Sequence, residues 1–434
     1  MSSVHKKSFP AFLLLISLLI VSSCSINDDR NNFIDPFVPT KDSTMEPSSI
    51  WNGSVDLSFF NQSNTILYIE SGEQLAGLAH LVNQGENFSG FRIELLNDIY
   101  LNNTEDFDAW TYNNSELNVW IPIGNMESDN NFEKSFCGTF DGNNFSIFGM
   151  FINDSLLTNH PDFLCAGLFG SISNTNKSLN FVNLTSIKIE KSLITVNHSN
   201  LYFKYVGSVV GKSYGGGGYG KINGLINIIS DTVIYAPSHN YIAGIVGSSG
   251  TNIINSAFLG SIFTESSNKY ICGIACANTF PMFIVNSFTS SDIGLSAKNN
   301  YADNGILTDF GITYNCYFIR EDSINFHLFG TSRIRSIENN LLFFSRGNGV
   351  FDKISLEVSI SPLEKGKKHN DIYYAADNYV DDELNLLQYT VDLTDLLNAF
   401  IAKCSFLNTS FLRNWTKDSI EHSIYPTLNE YETQ

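Results

Sequence analysis

Five short quartets recur in the middle of the chain and constrain its fold more than any other feature. They read Gly167-Leu168-Phe169-Gly170, Ser208-Val209-Val210-Gly211, Gly244-Ile245-Val246-Gly247, Gly273-Ile274-Ala275-Cys276 and, more weakly, Gly305-Ile306-Leu307-Thr308. Their starts at 167, 208, 244, 273 and 305 lie 41, 36, 29 and 32 residues apart. Small or apolar pairs precede the first four: Cys165-Ala166, Val206-Gly207, Ile242-Ala243 and Ile271-Cys272. After each quartet an Asn opens another apolar segment, at Asn183, Asn227, Asn255, Asn286 and Asn315. Self-similarity at such a period marks a repeat architecture.

The segments are four to seven residues long, rich in Ile, Val, Phe and Thr, and bounded by Gly, Asn and Ser, so they read as short strands. No amphipathic helix separates them, which excludes a βαβ array. Parallel strands without helices are joined by winding the chain into a solenoid, each turn pairing with the next at about 4.8 Å. Gly and Asn suit its tight corners because both accept left-handed backbone angles, and stacked Asn side chains form hydrogen-bonded ladders. Unequal repeat lengths are absorbed by loops at the corners, where insertion costs little. A β-sandwich with accidental similarity between strands is the competing reading. The solenoid expectation is an all-β, parallel β-helix over residues 50–325.

Composition narrows the rest. Lys and Arg number 25 against 44 Asp and Glu, a net charge of −19, so no nucleic-acid partner is expected. A hydrophobic content of 43% is enough to bury a core, which excludes wholesale disorder. Exposed ends of a solenoid need covering. Ser71 and Gln74 form a capping-box pattern, Leu75, Leu78, Ala79 and Val82 follow at helical spacing, and Gly85 stops the run. This predicts an N-terminal α-helical cap. Near the other end Thr394 precedes Leu396, Leu397, Phe400, Ile401 and Cys404, a second expected helix within residues 326–434, a mixed C-terminal cap region or a small α+β domain.

The N-terminus predicts location. Lys6 and Lys7 precede an apolar run from Ala11 to Val21, too short to span a bilayer but suited to a signal-peptide core. Val21-Ser22-Ser23-Cys24 then resembles a bacterial lipobox, in which Cys24 is lipidated and becomes the new N-terminus. An ordinary signal peptide with a chance Cys is the alternative. On the lipobox reading residues 1–23 are the signal peptide and 24–49 a lipidated tether, marked by Pro36, Pro39 and Pro47. Several acyl chains on one Cys anchor a protein stably. Asp28 and Asp29 behind Cys24 resemble a surface-export signal of Bacteroidetes lipoproteins, with a solvated linker as the alternative.

Further segments carry a resemblance. These are Trp51-Asn52-Gly53 with Asp56, the helix Gln74-Leu75-Ala76-Gly77-Leu78-Ala79, Asn97-Asp98-Ile99-Tyr100-Leu101, Trp120-Ile121-Pro122-Ile123-Gly124, Gly138-Thr139-Phe140-Asp141-Gly142-Asn143, Trp415 and Tyr425-Pro426-Thr427-Leu428. With the quartets, this order resembles the GLUG-motif proteins of Bacteroidetes surfaces over residues 50–428. The resemblance implies a right-handed parallel β-helix with a helical N-cap and an extracellular role, often adhesive. The motif also accompanies proteases of the IgA-protease family as an accessory region. Gly167, Gly170, Gly211, Gly244, Gly247 and Gly273 are its structural motif residues. Ser208 and Cys276 depart from the quartet's glycines. The family carries no catalytic residues to transfer.

Several apparent chemical motifs lack their context. Gly215-Gly216-Gly217-Gly218-Tyr219-Gly220-Lys221 nearly spells a phosphate-binding loop, but Ile222 stands where Ser or Thr would hold magnesium and no helix follows. Gly211-Lys212-Ser213-Tyr214-Gly215 matches a nucleophile-elbow pattern, yet glycines follow where a helix is required. The eight His are scattered, and no Cys or His pair has zinc spacing, so no metal or cofactor is expected. Cys272 and Cys276 occupy positions where other copies hold small residues, which favours a buried hydrophobic role. Asp371, Asp377, Asp381, Asp382 and Glu383 suit calcium chemically, but their spacing fits a solvated acidic loop better. Asp-Ser/Thr triplets place candidate O-glycosylation at Ser43, Ser155, Thr232, Ser323 and Ser419. Tyr202, Tyr214, Tyr219, Tyr235 and Tyr241 are candidates for stacking on sugars.

The expected function is therefore a non-enzymatic adhesin or binding module for a glycan or protein, held on the outer membrane by lipid and facing the extracellular side. The alternatives are a polysaccharide-active β-helix enzyme, which needs carboxylates paired with each other or with a basic residue, and a structural spacer or appendage subunit.

Overall fold

A computed structural model describes most of residues 49–354 apart from short stretches between strands, together with Asn398, Trp415–Lys417 and Pro426–Leu428. The chain is all-β and mostly parallel, with a β-helix-like pairing. Its described strands form a 19-stranded sheet, a 10-stranded sheet and a separate two-stranded pair. Among the named strand pairs, Leu341–Ser345 with Phe351–Ile354 and Trp415–Lys417 with Pro426–Leu428 are antiparallel, and the others are parallel.

The parallel register aligns like with like. Leu67, Ile93, Phe140, Leu184, Leu225, Ile253 and Ile284 are successive partners across the larger sheet. All are buried. A second row runs Ile152, Ile194, Ile234, Ile262. A third, in the smaller sheet, runs Ala166, Val206, Ile242, Ile271. The quartets form a fourth: Phe169, Val210, Val246 and Ala275 pair in sequence, and Leu307 follows. These rows meet in one continuous core. Each fully buried Leu, Ile or Phe contributes about 1.5–3 kcal/mol relative to exposure, so the stacked rows are the main source of stability.

The quartet row begins one repeat earlier than the glycine pattern reveals. Ile123 bridges to Phe169, and Gly124 lies against Gly170. The pairing also continues past residue 325, because Gly311–Arg320 pairs in parallel with Ile334–Glu338 and Leu341–Ser345.

Corners and glycines divide their work differently from expectation. Asn227, Asn255 and Asn286 take left-handed angles, with φ of 59°, 51° and 51°. They form a ladder in which Asn255 Nδ2 donates to Asn227 Oδ1 at 3.0 Å and Asn286 Nδ2 donates to Asn255 Oδ1 at 2.8 Å. Asn183 does not join it. That residue pairs with Gly224, and the corner before Asn227 is Ser186, at φ 53°. A three-residue strand precedes the corners at Ser186, Asn227 and Asn255, and a single repeat does not reveal which polar residue turns. The quartet glycines instead admit neighbouring backbone. A Cβ on Gly170 would stand 2.2 Å from Gly124 O, one on Gly244 2.1 Å from Gly273 O, and one on Gly247 2.5 Å from Val206 N. Gly167 and Gly211 are similarly crowded, against Gly207 O at 2.5 Å and Cys165 Cβ at 2.7 Å. Ser208, in the place of a quartet glycine, donates its hydroxyl to Gly244 O.

Helix α1 (Gly72–Asn83) forms where predicted. Ser71 is its N-cap and accepts from Gln74 N at 3.4 Å. The Gln74 side chain reaches back to accept from Glu70 N, one residue beyond the N-cap that a standard capping box would contact. Leu75, Leu78, Ala79 and Val82 are buried in the same core as Leu67 and Ile93. Gly77 has no side chain because Asp56 O would lie 2.1 Å from its Cβ. At the C-terminal end Asn398 is helical and clasps Trp415. Its Nδ2 donates to Trp415 O and its Oδ1 accepts from Trp415 N, both at 2.8 Å. The buried Trp415 ring meets Phe288 edge-on at 5.2 Å.

Candidate functional site

On the ten-stranded sheet, a second group of apolar side chains lies outside the main core. Tyr205 and Tyr241 occupy the same offset before their quartets, so parallel register makes them neighbours, with ring centres 5.3 Å apart. Met126, Phe132, Cys165 and Tyr205 form a buried cluster, with Leu164 and Tyr241 packed against it. Val210–Tyr214 supplies Lys212 and Tyr214 from the adjoining strand.

Lys212 is buried in this group. Its ammonium donates to the Tyr205 hydroxyl at 3.2 Å, and lies 4.3 Å from the Tyr205 ring centre and 5.6 Å from that of Phe132. The cation is thus held by two aromatic faces and a hydroxyl, a geometry worth about 0.5–2 kcal/mol per ring contact. Phe132 stacks on Tyr214 at 4.4 Å. Lys204 places its ammonium 5.4 Å over the Tyr205 ring. Tyr214 is 37% exposed, while Tyr241 and Lys204 are half-buried. The result is an aromatic patch whose outer members are Tyr214 and Tyr241, with Tyr205, Phe132 and the Lys212 cation buried behind them. Such a surface can stack on the C–H face of a sugar ring and hydrogen bond to its hydroxyls.

A second polar column lies on the larger sheet. Tyr100 and Phe148 stack at 4.8 Å with planes 10° apart, and Glu190 is the next residue in register. Glu190 accepts from Ser146 Oγ at 2.6 Å. Asp231 is an exposed position of its strand, yet its carboxyl is held above the ordinary carboxylate pKa, first by the loss of water to the surrounding chain and then by the charge of Glu190, with Lys191 offsetting part of this. On the same sheet Arg92 joins Glu94 and, at 2.7 Å, Asp141.

The sequence-derived candidates fall as follows. Gly167, Gly170, Gly211, Gly244, Gly247 and Gly273 lie in the quartets, and Gly211 backs onto the patch through Cys165. Thr232 is buried and its hydroxyl is 2.9 Å from that of Ser230, so a sugar there would have to be attached before the strand packs. Ser155 lies in the short turn Asp154–Leu156. Cys24, Ser43, Ser323 and Ser419 lie outside the described residues, as do the glycine run 215–221, the acidic cluster 371–383, Tyr202 and Tyr219. Ser213, the elbow candidate, is buried in a hydroxyl network, accepting from Thr251 Oγ1 at 3.1 Å and Gly250 N at 3.0 Å. Of the tyrosines, Tyr214 and Tyr241 belong to the patch. Tyr205, Phe132, Lys204 and Lys212 escaped the sequence reading, although the shared offset of Tyr205 and Tyr241 from their quartets carried the signal.

Among the described residues no group of three or more His, Cys, Asp or Glu is placed to hold a metal ion, and no helix is long and apolar enough to cross a membrane. Comparison of the chain with family models, curated proteins and solved structures finds no match.

Proposed function

We propose that this chain is a lipid-anchored surface protein of the GLUG-motif kind that binds glycan without cleaving it, using the aromatic patch on its ten-stranded sheet. In this reading the strands wind as a right-handed parallel β-helix, α1 covers its first turn, the C-terminal segments close the other end, and Cys24 carries the lipid on the outer membrane. The aligned rows and the burial of α1 against Leu67 and Ile93 support the winding and the cap. The single observation that carries the binding reading is the pre-ordered set Phe132, Tyr205, Tyr214 and Tyr241 around Lys212. Side chains fixed before contact lose little entropy on binding.

A glycan array probed with the purified chain tests this. Tyr214→Ala and Tyr241→Ala should each weaken binding of the retained glycans about two- to tenfold, the loss of one stacking contact of about 0.5–1.5 kcal/mol. Retention of full affinity in both variants would place the ligand elsewhere, and an array with no binding refutes the reading. For the anchor, Cys24→Ser should release the chain from the detergent-requiring membrane fraction.

The column Tyr100, Phe148, Glu190 and Asp231 favours the polysaccharide-active alternative, because it sets two carboxylates beside an aromatic platform. Product release from a polysaccharide panel, abolished by Glu190→Gln, would support that enzyme.

A further inference from the structure

Position 276 breaks the repeat rule. The first three copies end their quartet with Gly170, Gly211 and Gly247, where a Cβ would stand 2.2, 2.7 and 2.5 Å from a preceding repeat. The fourth copy places Cys276 there, and its Sγ lies 3.4 Å from Ile242 O of the preceding repeat. Four residues earlier the same copy departs again. Cys272 stands in register with Ala243, which itself pairs with Gly207, so the two preceding repeats place small residues there. The two departures meet, because Cys272 Sγ and Cys276 Sγ are 3.2 Å apart. Both are buried in a small cluster with Ala243, against which Tyr241 packs.

We propose that Cys272 and Cys276 are a dithiol that closes to an intrarepeat disulfide. A disulfide bond measures about 2.05 Å, so the sulfurs have only about 1.2 Å to travel. A quartet-glycine position and the position aligned with Gly207 and Ala243 both filled by Cys, with their sulfurs facing, is the arrangement a bond explains. The oxidant is a disulfide donor of the thiol-exchange class. A thiolate of the pair attacks one donor sulfur and expels a donor thiolate. The second cysteine's thiolate then attacks the mixed disulfide and expels the other donor thiolate. The donor gains two electrons and both protons, and the chain loses two hydrogens. Because both sulfurs are buried, exchange proceeds while the short strands Ile271–Cys272 and Ala275–Ala277 are open. The closed ring, residues 272–276, fixes the quartet corner beneath Tyr241.

The purified full chain is incubated with oxidised glutathione at mildly alkaline pH, denatured with iodoacetamide and digested with trypsin. Residues 270–298 form one tryptic peptide that holds Cys272 and Cys276 and no other cysteine. The expected peptide is two hydrogens lighter than the reduced form and carries no alkyl group. Cys276→Ser should instead leave Cys272 alkylated or glutathionylated. A doubly alkylated wild-type peptide, or one linked to another cysteine's peptide, overturns the proposal. The outcome does not depend on whether the aromatic patch binds glycan, so the two readings fail separately.

Discussion

The asparagine ladder gives the sharpest test of the stacking. Asn255 makes two ladder bonds, to Asn227 and from Asn286, whereas Asn227 takes part in one of these. Replacement by Gly keeps the left-handed corner at no steric cost, so the backbone contribution is nearly the same at both sites. A buried hydrogen bond lost with its partner left in place costs about 1–3 kcal/mol. Asn255→Gly should therefore cost about 2–4 kcal/mol and Asn227→Gly about half as much. The bond between the two residues is removed by either change, so the double variant should cost less than the sum by about 1 kcal/mol. Urea unfolding followed by fluorescence of the buried Trp120 and Trp415 measures all three, provided the slope with denaturant stays constant. Additivity of the two changes within about 0.3 kcal/mol would mean that the side chains do not bond across repeats, and the argument from stacked corners would fail.

Other expectations follow from single sites. Gly170→Ala forces a Cβ to within 2.2 Å of Gly124 O and should cost about 3 kcal/mol or more, whereas Gly85→Ala, with open space and φ of 102°, should cost only about 1–2 kcal/mol, both read by the same unfolding assay. Asp231 titrates above its unfolded value, so the folded state holds its proton longer and stability falls as pH rises through that range. Asp231→Asn should accordingly raise the unfolding midpoint at neutral pH and leave it unchanged at about pH 3, below both values. Burial pushes the Cys137 thiol up to about 11, so a thiol reagent at mildly alkaline pH should label it only as fast as the chain unfolds, and rapid labelling of the native protein would contradict that environment.

Much of this architecture was legible because parallel register repeats a chemical choice once per repeat. Phe169, Val210, Val246 and Ala275 could be aligned by eye before any pairing was known, and they do pair. The α1 boundaries were equally plain, since Ser71 and Gly85 act within one turn of the residues they affect. What escaped depends on neighbours far along the chain. A quartet glycine looks like a corner residue until the carbonyl pressing on it from another repeat is known, as at Gly170 and Gly124. Asn183 looked equivalent to Asn227, but unequal insertions hide the offset, and Ser186 turns that corner. The patch needed both effects, because Phe132 reaches Tyr214 from the repeat of Ile123 and Gly124, whose quartet lacks the leading glycine.

The strands' hydrogen bonds run from each repeat to the next, which has a mechanical corollary. A pull along the direction of stacking loads those bonds head-on, a few at a time, so the molecule should come apart by peeling. Each peeled repeat would release a length set by its own residue count. Quartets 41, 36 and 29 residues apart would pay out about 100–145 Å apiece. The unequal insertions would then be read as a ruler in a force–extension trace, a sawtooth whose tooth widths spell the order of the repeats.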